Sequence, residues 1–326
     1  MHSLKELQSL LQNEIDSMHM RKSPADLYEP VTYILSLGGK RIRPVLLLLS
    51  CESFGGDVMK AMKPAIGIEL FHNFTLLHDD IMDNAPMRRN MKTVHEKWNT
   101  NVAILSGDAM YTIAFQQMMQ VENDLMQPVL QLFTETALLV CEGQQFDMDF
   151  EKQGNVKISD YLHMIELKTA VLLACSLKTG AILARTSESN AGHMYEFGKN
   201  LGIAFQLQDD VLDVFGDKTK VGKQVGGDII ANKKTFLLLK AMECANFDQY
   251  EELMRLIQNK NNRYEPWEKV NKVTELFLQL GVRQMAETEV NNYYQAALNH
   301  LKSLQLNDEN KKVLFEFAGH LMNREL

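Results

Sequence analysis

The sequence predicts an all-α chain, and three observations carry that expectation. Apolar residues recur mostly at three- and four-residue spacing, as in Val129, Leu132, Phe133, Thr136, Leu139 and Val140. No proline stands between Pro128 and Pro266. No Asn-Gly signal separates runs of alternating residues, so strands find little support. In chain order the pattern predicts helices over about 3–19 and 24–36, then a break at Gly38-Gly39. The next covers about 42–54, ends at Gly55-Gly56, and is followed by a long helix over about 58–84. That helix stops at Asn84-Ala85-Pro86, because proline cannot continue it. Further helices are expected over about 99–120, 124–150, 158–185, 190–215 and 231–243, with several more filling the C-terminal third. Stretches 129–140 and 169–184 are apolar nearly all round, which places them inside a large bundle.

Composition agrees with a globular chain. Of 326 residues, 45% are hydrophobic and 23% charged, which excludes collagen-like and disordered classes. No linker rich in Gly, Ser or Pro divides the sequence, so residues 1–326 are read as one domain. No apolar run reaches the roughly 18–20 residues of a membrane span. The first 18 residues carry charges at helical spacing and lack the apolar core of a secretory signal. Cys51, Cys141, Cys175 and Cys244 stand far apart with no CxxC, which argues against a zinc site or disulfide framework and fits the cytoplasm. A net charge of −8 disfavours a nucleic-acid partner.

The strongest signal is chemical repetition. Asp79-Asp80-Ile81-Met82-Asp83 and Asp209-Asp210-Val211-Leu212-Asp213 both read DDxxD near the C-terminal end of an apolar helix. Positions i and i+4 of a helix lie about 40° apart, so Asp79 and Asp83 share a face, as do Asp209 and Asp213. Carboxylates are unfavourable at that end of the macrodipole. Two helices accepting the same cost suggest a cation that offsets it. Oxygen-only ligands select hard ions, and Mg²⁺ completes its shell with water and phosphate. One DDxxD alone is as readily a solvated helix end; a matched pair is a much stronger signal. Two facing clusters would hold several Mg²⁺ ions and, through them, a diphosphate.

Basic residues gather at helix junctions: Lys40, Arg41 and Arg43; Arg88-Arg89; Lys168; Lys218, Lys220 and Lys223; Lys233-Lys234. A metal-bound anion needs such a counter-set. Arg41, Lys220 and Lys234 are read as solvated surface charges. His72 stands two helical turns before Asp79 and on nearly the same face. Gln144 and Asp147 fit cavity-lining or salt-bridging roles equally, and the 19 methionines read as adaptable core filler.

These residues resemble the trans-isoprenyl diphosphate synthases, the polyprenyl synthetase family, over about 30–240. The motifs occur in the family's order: Gly39-Lys40-Arg41-Ile42-Arg43-Pro44, His72, Asp79 to Asp83 with Arg88-Arg89, and Gly143-Gln144-Gln145-Phe146-Asp147. Lys168-Thr169, Phe205 to Asp213, Lys223 and Lys233 complete them. Residues 245–326 carry no such motif. The resemblance implies an isoprenoid synthase-like helical bundle around a central cavity, a homodimer, and head-to-tail condensation of isopentenyl diphosphate with an allylic diphosphate. It implies that Asp79, Asp83 and Asp209 coordinate Mg²⁺, three ions per site, supported by Asp80, Asp210 and Asp213 through water or from behind. Arg88, Lys168, Lys223 and Lys233 are then expected on the allylic diphosphate, and Gly39, Lys40, Arg43, His72 and Arg89 on isopentenyl diphosphate. Thr169 and Gln206 are expected beside the reacting carbons.

The chain departs from the family in one segment. Asn90, Met91 and Lys92 precede Thr93-Val94-His95, where the family usually has Gly and then Pro-Thr-x-His. Asn tolerates the left-handed conformation, so the turn is expected to survive. The resemblance also implies that Phe74, five residues before the first aspartate, helps floor the cavity, with Thr75 beside it and Phe71 about a turn deeper. A bulky ring there implies a short product, farnesyl or geranylgeranyl diphosphate. A long-chain synthase is the nearest alternative. A class I terpene cyclase would carry an Asn/Asp-Ser/Thr-Glu motif in place of the second cluster. A non-catalytic partner subunit would usually have lost a motif or several of the basic residues.

Overall fold

In the computed structural model, residues 1–18, 23–216, 226–258 and 264–323 are described; Lys218, Lys220 and Lys223 lie outside them. Helices α1 (Leu4–Ser17), α2 (Ala25–Ser36), α3 (Ile42–Ser53) and α4 (Val58–Met82) open the chain. A two-residue ladder follows, β1 (Met87–Arg88) against β2 (Met91–Lys92), and then the short α5 (Val94–Lys97). The middle is α6 (Thr100–Met118), α7 (Asn123–Lys152), α8 (Ile158–Ile165), a π-helical turn (Glu166–Ala170), α9 (Val171–Leu183) and α10 (Glu188–Phe215). The one-turn α11 (Gly227–Ile230) leads to α12 (Phe236–Cys244), α13 (Phe247–Gln258), α14 (Pro266–Gln279), α15 (Val282–Ser303) and α16 (Asp308–Asn323).

Local chemistry sets the helix starts. Ser3 and Glu6 form a reciprocal capping box on α1, while Asp57, Asn99 and Ser187 side chains accept N–H bonds at α4, α6 and α10. Helix α9 is buried nearly all round, as its composition predicts. Stretch 129–140 is not: Leu138 is 62% exposed, so α7 keeps an outer face despite its apolar sequence. Close packing depends on Gly180, where an added Cβ would lie 2.2 Å from the Leu47 carbonyl oxygen of α3.

Three segments differ from the sequence expectation. The region over 158–185 contains the π turn rather than uninterrupted α-helix. The helix expected over 231–243 begins only at Phe236, because Asn232 adopts φ +57° and Lys233-Lys234 leave the helical path before α12. The ladder at 87–92 closes on Arg89-Asn90, both at positive φ as a type I′ turn requires. Asn90 makes the expected left-handed turn, but an arginine beside it carries no hairpin signal.

Two apolar clusters organise the bundle. One joins α1–α7, α9, the first half of α10 and the α15–α16 end. The other joins the end of α7, α8, the second half of α10 and α11–α15. Helix α10 spans both, and its second half carries Asp209 to Asp213.

Candidate active site

The first aspartate motif ends α4, with Asp83 as the C-cap. Asp80 is buried, and Arg88 of β1 clamps it, with Nε 2.9 Å from both carboxylate oxygens and Nη2 2.7 Å from Oδ1. Burial pushes the Asp80 carboxyl up, and Arg88 opposes that shift. The same guanidinium reaches Asp79 at 3.7 Å. Partial desolvation, then the Asp79 charge, raises Asp83 above the usual carboxylate range. The positions sort by direction: Asp80 turns inward to hold Arg88, while Asp79 lines the cavity.

The π turn delivers Lys168 opposite this motif. Its ammonium lies 2.6 Å from Asp147 of α7 and 3.3 Å from Asp79. Burial would lower the Lys168 pKa, but Asp147 and Asp79 outweigh it and hold it raised. Asp147 therefore takes the salt-bridging role, while Gln144 lines the cavity and its amide contacts the Met82 sulfur at 3.7 Å. Gly143 makes this possible, since a Cβ there would lie 2.4 Å from the Lys168 backbone nitrogen. One residue on, Thr169 Oγ1 donates to Gln206 Oε1 at 3.3 Å.

The second motif is assembled differently. Asp210 is buried and accepts hydrogen bonds from the Tyr161 hydroxyl and from Gln206 Nε2 at 3.3 Å. Burial above all, with the Asp228 charge adding to it, pushes Asp210 up to about 7 despite those bonds. Asp213 turns back to the scaffold: its Oδ2 accepts the Asp228 N–H at 3.0 Å at the start of α11. Asp209, one residue before Asp210, is partly exposed. Lys233 stands 4.0 Å from Asp228 and lines the same polar pocket as Asp210, and its charge acts to lower the Asp83 carboxyl.

A third set surrounds the break before α3. Gly38 and Gly39 have φ +73° and +134°, and a Cβ on Gly39 would fall 2.6 Å from the Arg89 guanidinium. Gln8 of α1 donates to the Lys40 carbonyl at 2.9 Å. Arg43 Nη1 donates to His72 Nε2 at 3.2 Å, so the imidazole proton sits on Nδ1. Burial, then the Arg43 and Arg89 charges, holds His72 well below its usual pKa and therefore neutral. Arg41 contradicts its expected surface role: it is 5% exposed and paired with Glu69 and the Leu35 carbonyl. Lys234 contradicts it as well, because its ammonium caps the Phe150 and Gln153 carbonyls at the end of α7. Glu69, Asn73 and Tyr161 escaped sequence reasoning: Glu69 and Tyr161 pair with motif residues 28 and 49 positions away, and Asn73 bonds Glu69.

Between these groups lies an apolar cavity of about 260 Å³, lined by Arg43, His72, Asp79, Lys168, Thr169 and the α4 and α7 faces. A polar pocket of about 110 Å³ adjoins it, sharing Lys168 and Thr169 and adding Gln206, Asp210, Asp228 and Lys233. Phe74 and Thr75 line the apolar cavity. The Phe74 ring stacks on Tyr111 of α6 at 5.1 Å, while Phe71, 1% exposed, stands behind the wall. Among the described residues no three carboxylate, His or Cys side chains converge tightly enough to cage an ion alone. An all-oxygen donor set that is incomplete by itself fits Mg²⁺ shared with phosphate, for which one or two carboxylates per ion suffice.

Residues 24–276 match the family model for polyprenyl synthetase. The geranylgeranyl diphosphate synthase of Methanosarcina mazei is 40% identical over 242 residues, 74% of this chain and 75% of that protein. The geranylgeranyl pyrophosphate synthase of Geoglobus acetivorans is 36% identical over 327 aligned positions, covering 99% of this chain and 98% of its own. A crystal structure of a geranylgeranyl pyrophosphate synthase superposes with a TM-score of 0.95 at 45% identity, covering 99% of both chains. Both aspartate motifs, the basic break before α3 and the π turn all fall inside the matched segment, and the chain belongs to the polyprenyl synthetase family.

Proposed function

We propose that this enzyme is a trans-prenyltransferase joining isopentenyl diphosphate head-to-tail to an allylic diphosphate, giving an all-trans prenyl diphosphate of C15–C20 and pyrophosphate. The observation that carries the reading is the placement of Lys168 and Thr169, which the π turn sets on the wall shared by the apolar cavity and the polar pocket.

The roles follow from charge and position. Asp79, Asp83 and Asp209 would hold Mg²⁺, three ions per site; when bound, the metal neutralises charge growing on the departing pyrophosphate. Arg88, Lys168 and Lys233 add fixed positive charge at the same anion, with Lys223 assigned to this set on sequence alone. Asp80 orients Arg88, and Asp210 orients Gln206. Asp213 anchors α11. Breaking the allylic C–O bond leaves a cation that the apolar cavity shields from water. Oxygen dipoles of Thr169 and Gln206 face that cation without attacking it. Gly39, Lys40, Arg43, His72 and Arg89 hold isopentenyl diphosphate, with the His72 Nδ1–H as a donor. The isopentenyl double bond forms the new C–C bond, and a proton then leaves for pyrophosphate. Phe74 on Tyr111 floors the growing chain.

The chain works as one domain, a homodimer and a cytoplasmic enzyme in this reading. Its cysteines are free thiols, two of them buried, which suits a reducing compartment. Among the described residues no helix is long and apolar enough to cross a membrane.

The test is incubation with labelled isopentenyl diphosphate, Mg²⁺ and, separately, dimethylallyl, geranyl, farnesyl and geranylgeranyl diphosphates. Transfer should occur, cease with chelator, and stop at C15–C20 on chromatography. Asp79→Ala and Asp209→Ala should each lower turnover by about 100-fold or more. Absence of transfer refutes the reaction; products of C30 or longer refute only the chain length.

A further inference from the structure

The C-terminal third carries no motif, yet one of its lysines holds the segment that leads into Lys233. Lys269 of α14 is 3% exposed, a costly position for an ammonium that lacks good acceptors. Its Nζ donates to Asn232 Oδ1 at 2.5 Å and to the Ile230 carbonyl at 3.3 Å. Both acceptors belong to the end of α11. The neighbouring Val270 packs on the other end, since a Cβ on Gly226 would lie 2.5 Å from Val270 Cγ1. Helix α14 thus grips α11 before its first residue and after its last.

A four-residue helix has too few internal bonds to hold its own direction. Here Asp213 satisfies the Asp228 N–H at one end, and Lys269 satisfies the Ile230 carbonyl at the other. Lys233 follows immediately, its N–H bonded to the Asp228 carbonyl at 3.0 Å and its side chain on the polar pocket. We infer that Lys269 is a positioning residue: its bonds to Ile230 and Asn232 aim Lys233 at the anion site between the two aspartate motifs. The inference rests on the reading of Lys233 as a ligand of the allylic diphosphate.

Steady-state kinetics of the full-length enzyme test it with Lys269→Met, Asn232→Gly and Lys233→Ala. Methionine fills the lysine's space without its donors. Glycine keeps the φ of +57° at position 232 while removing the acceptor. Losing hydrogen bonds to a charged group should raise KM for the allylic diphosphate about tenfold in Lys269→Met. KM for isopentenyl diphosphate should stay within about twofold, with Asn232→Gly shifting the same way. An unchanged allylic KM in both variants, beside a raised one in Lys233→Ala, overturns the inference alone. Both substrates' KM values rising together would show a merely structural role and overturn it too. An unchanged KM in Lys233→Ala overturns the assignment of Lys233, and the inference falls with it. If Lys269→Met does not fold, Asn232→Gly decides.

Discussion

Phe74 lines the apolar cavity as one member of an aromatic stack. Its ring lies on Tyr111 at 5.1 Å and 21°, with the His78 ring at 4.7 Å edge-on and Phe71 behind it at 5.7 Å. Phe74→Ala should therefore open the floor and lengthen the product, read by chromatography of the labelled prenyl chains. Phe71→Ala should leave product length nearly unchanged, because that ring is in the core rather than on the wall. Its cost should instead be about 3–5 kcal/mol of stability, as for other buried aromatics, against about 2 kcal/mol for the half-buried Phe74. An unaltered product distribution in Phe74→Ala would place the floor elsewhere. At this scale the family motif sets Arg43 apart from Arg41 but does not show what Arg41 does instead. Arg41 and Arg43 stand two apart in one motif, yet the first is consumed by Glu69 and the second meets His72. The Glu69 pairing depends on α4, 28 residues away, and no local pattern encodes it.

The element that matters most is the π turn, and it was invisible as a pattern. One extra residue per turn over Glu166–Ala170 rotates Lys168 and Thr169 toward the cavity while α8 and α9 keep their apolar faces inward. A helical period read over 158–185 tolerates that insertion, so the sequence looks continuous. Gly143 is the other half of the arrangement. Gly143→Ala places a methyl 2.4 Å from the Lys168 nitrogen and 2.8 Å from the Leu167 carbonyl carbon, both backbone, so neither can rotate away. The π turn must shift, and Lys168 must move from Asp79 and Asp147. Overpacking of this kind costs about 1–3 kcal/mol, read as a lower Tm. Turnover should fall further than that stability loss explains, since Lys168 is displaced even in the folded fraction. Normal turnover in the folded variant would disprove the coupling. The glycine itself was legible inside its motif; its reason was not, because the reason is the backbone of another helix. The same holds for the 87–92 ladder, whose left-handed Arg89 brings its guanidinium over Gly39.

For the whole molecule, the apolar surface left uncovered argues for a second copy. On α6, Leu105 and Thr112 are exposed at seven-residue spacing, with the exposed Asp108 beside them, and the C-cap Met119 continues the row. Helix α7 adds Leu138 on its outer face. Leu105 and Leu138 are 59% and 62% exposed, and Ile104 adds another 40%-exposed side chain beside Leu105. These helices also form the cavity wall: Tyr111 backs Phe74 from α6, and Gln144 lines the cavity from α7. A partner laid along them would bury the outer lines while the inner faces stay on the cavity, stiffening the floor from behind. Light scattering on the purified enzyme should give twice the 37.3 kDa chain mass. Leu105→Asp with Leu138→Asp would bury two unpaired charges from each chain in that contact, at several kcal/mol, and should yield the single-chain mass with helical circular dichroism retained. Released from its partner, α6 should hold Tyr111 less firmly, so the monomer should make a broader range of product lengths than the dimer. A wild-type enzyme of single-chain mass, or a double variant that stays dimeric, would show that these lines face solvent.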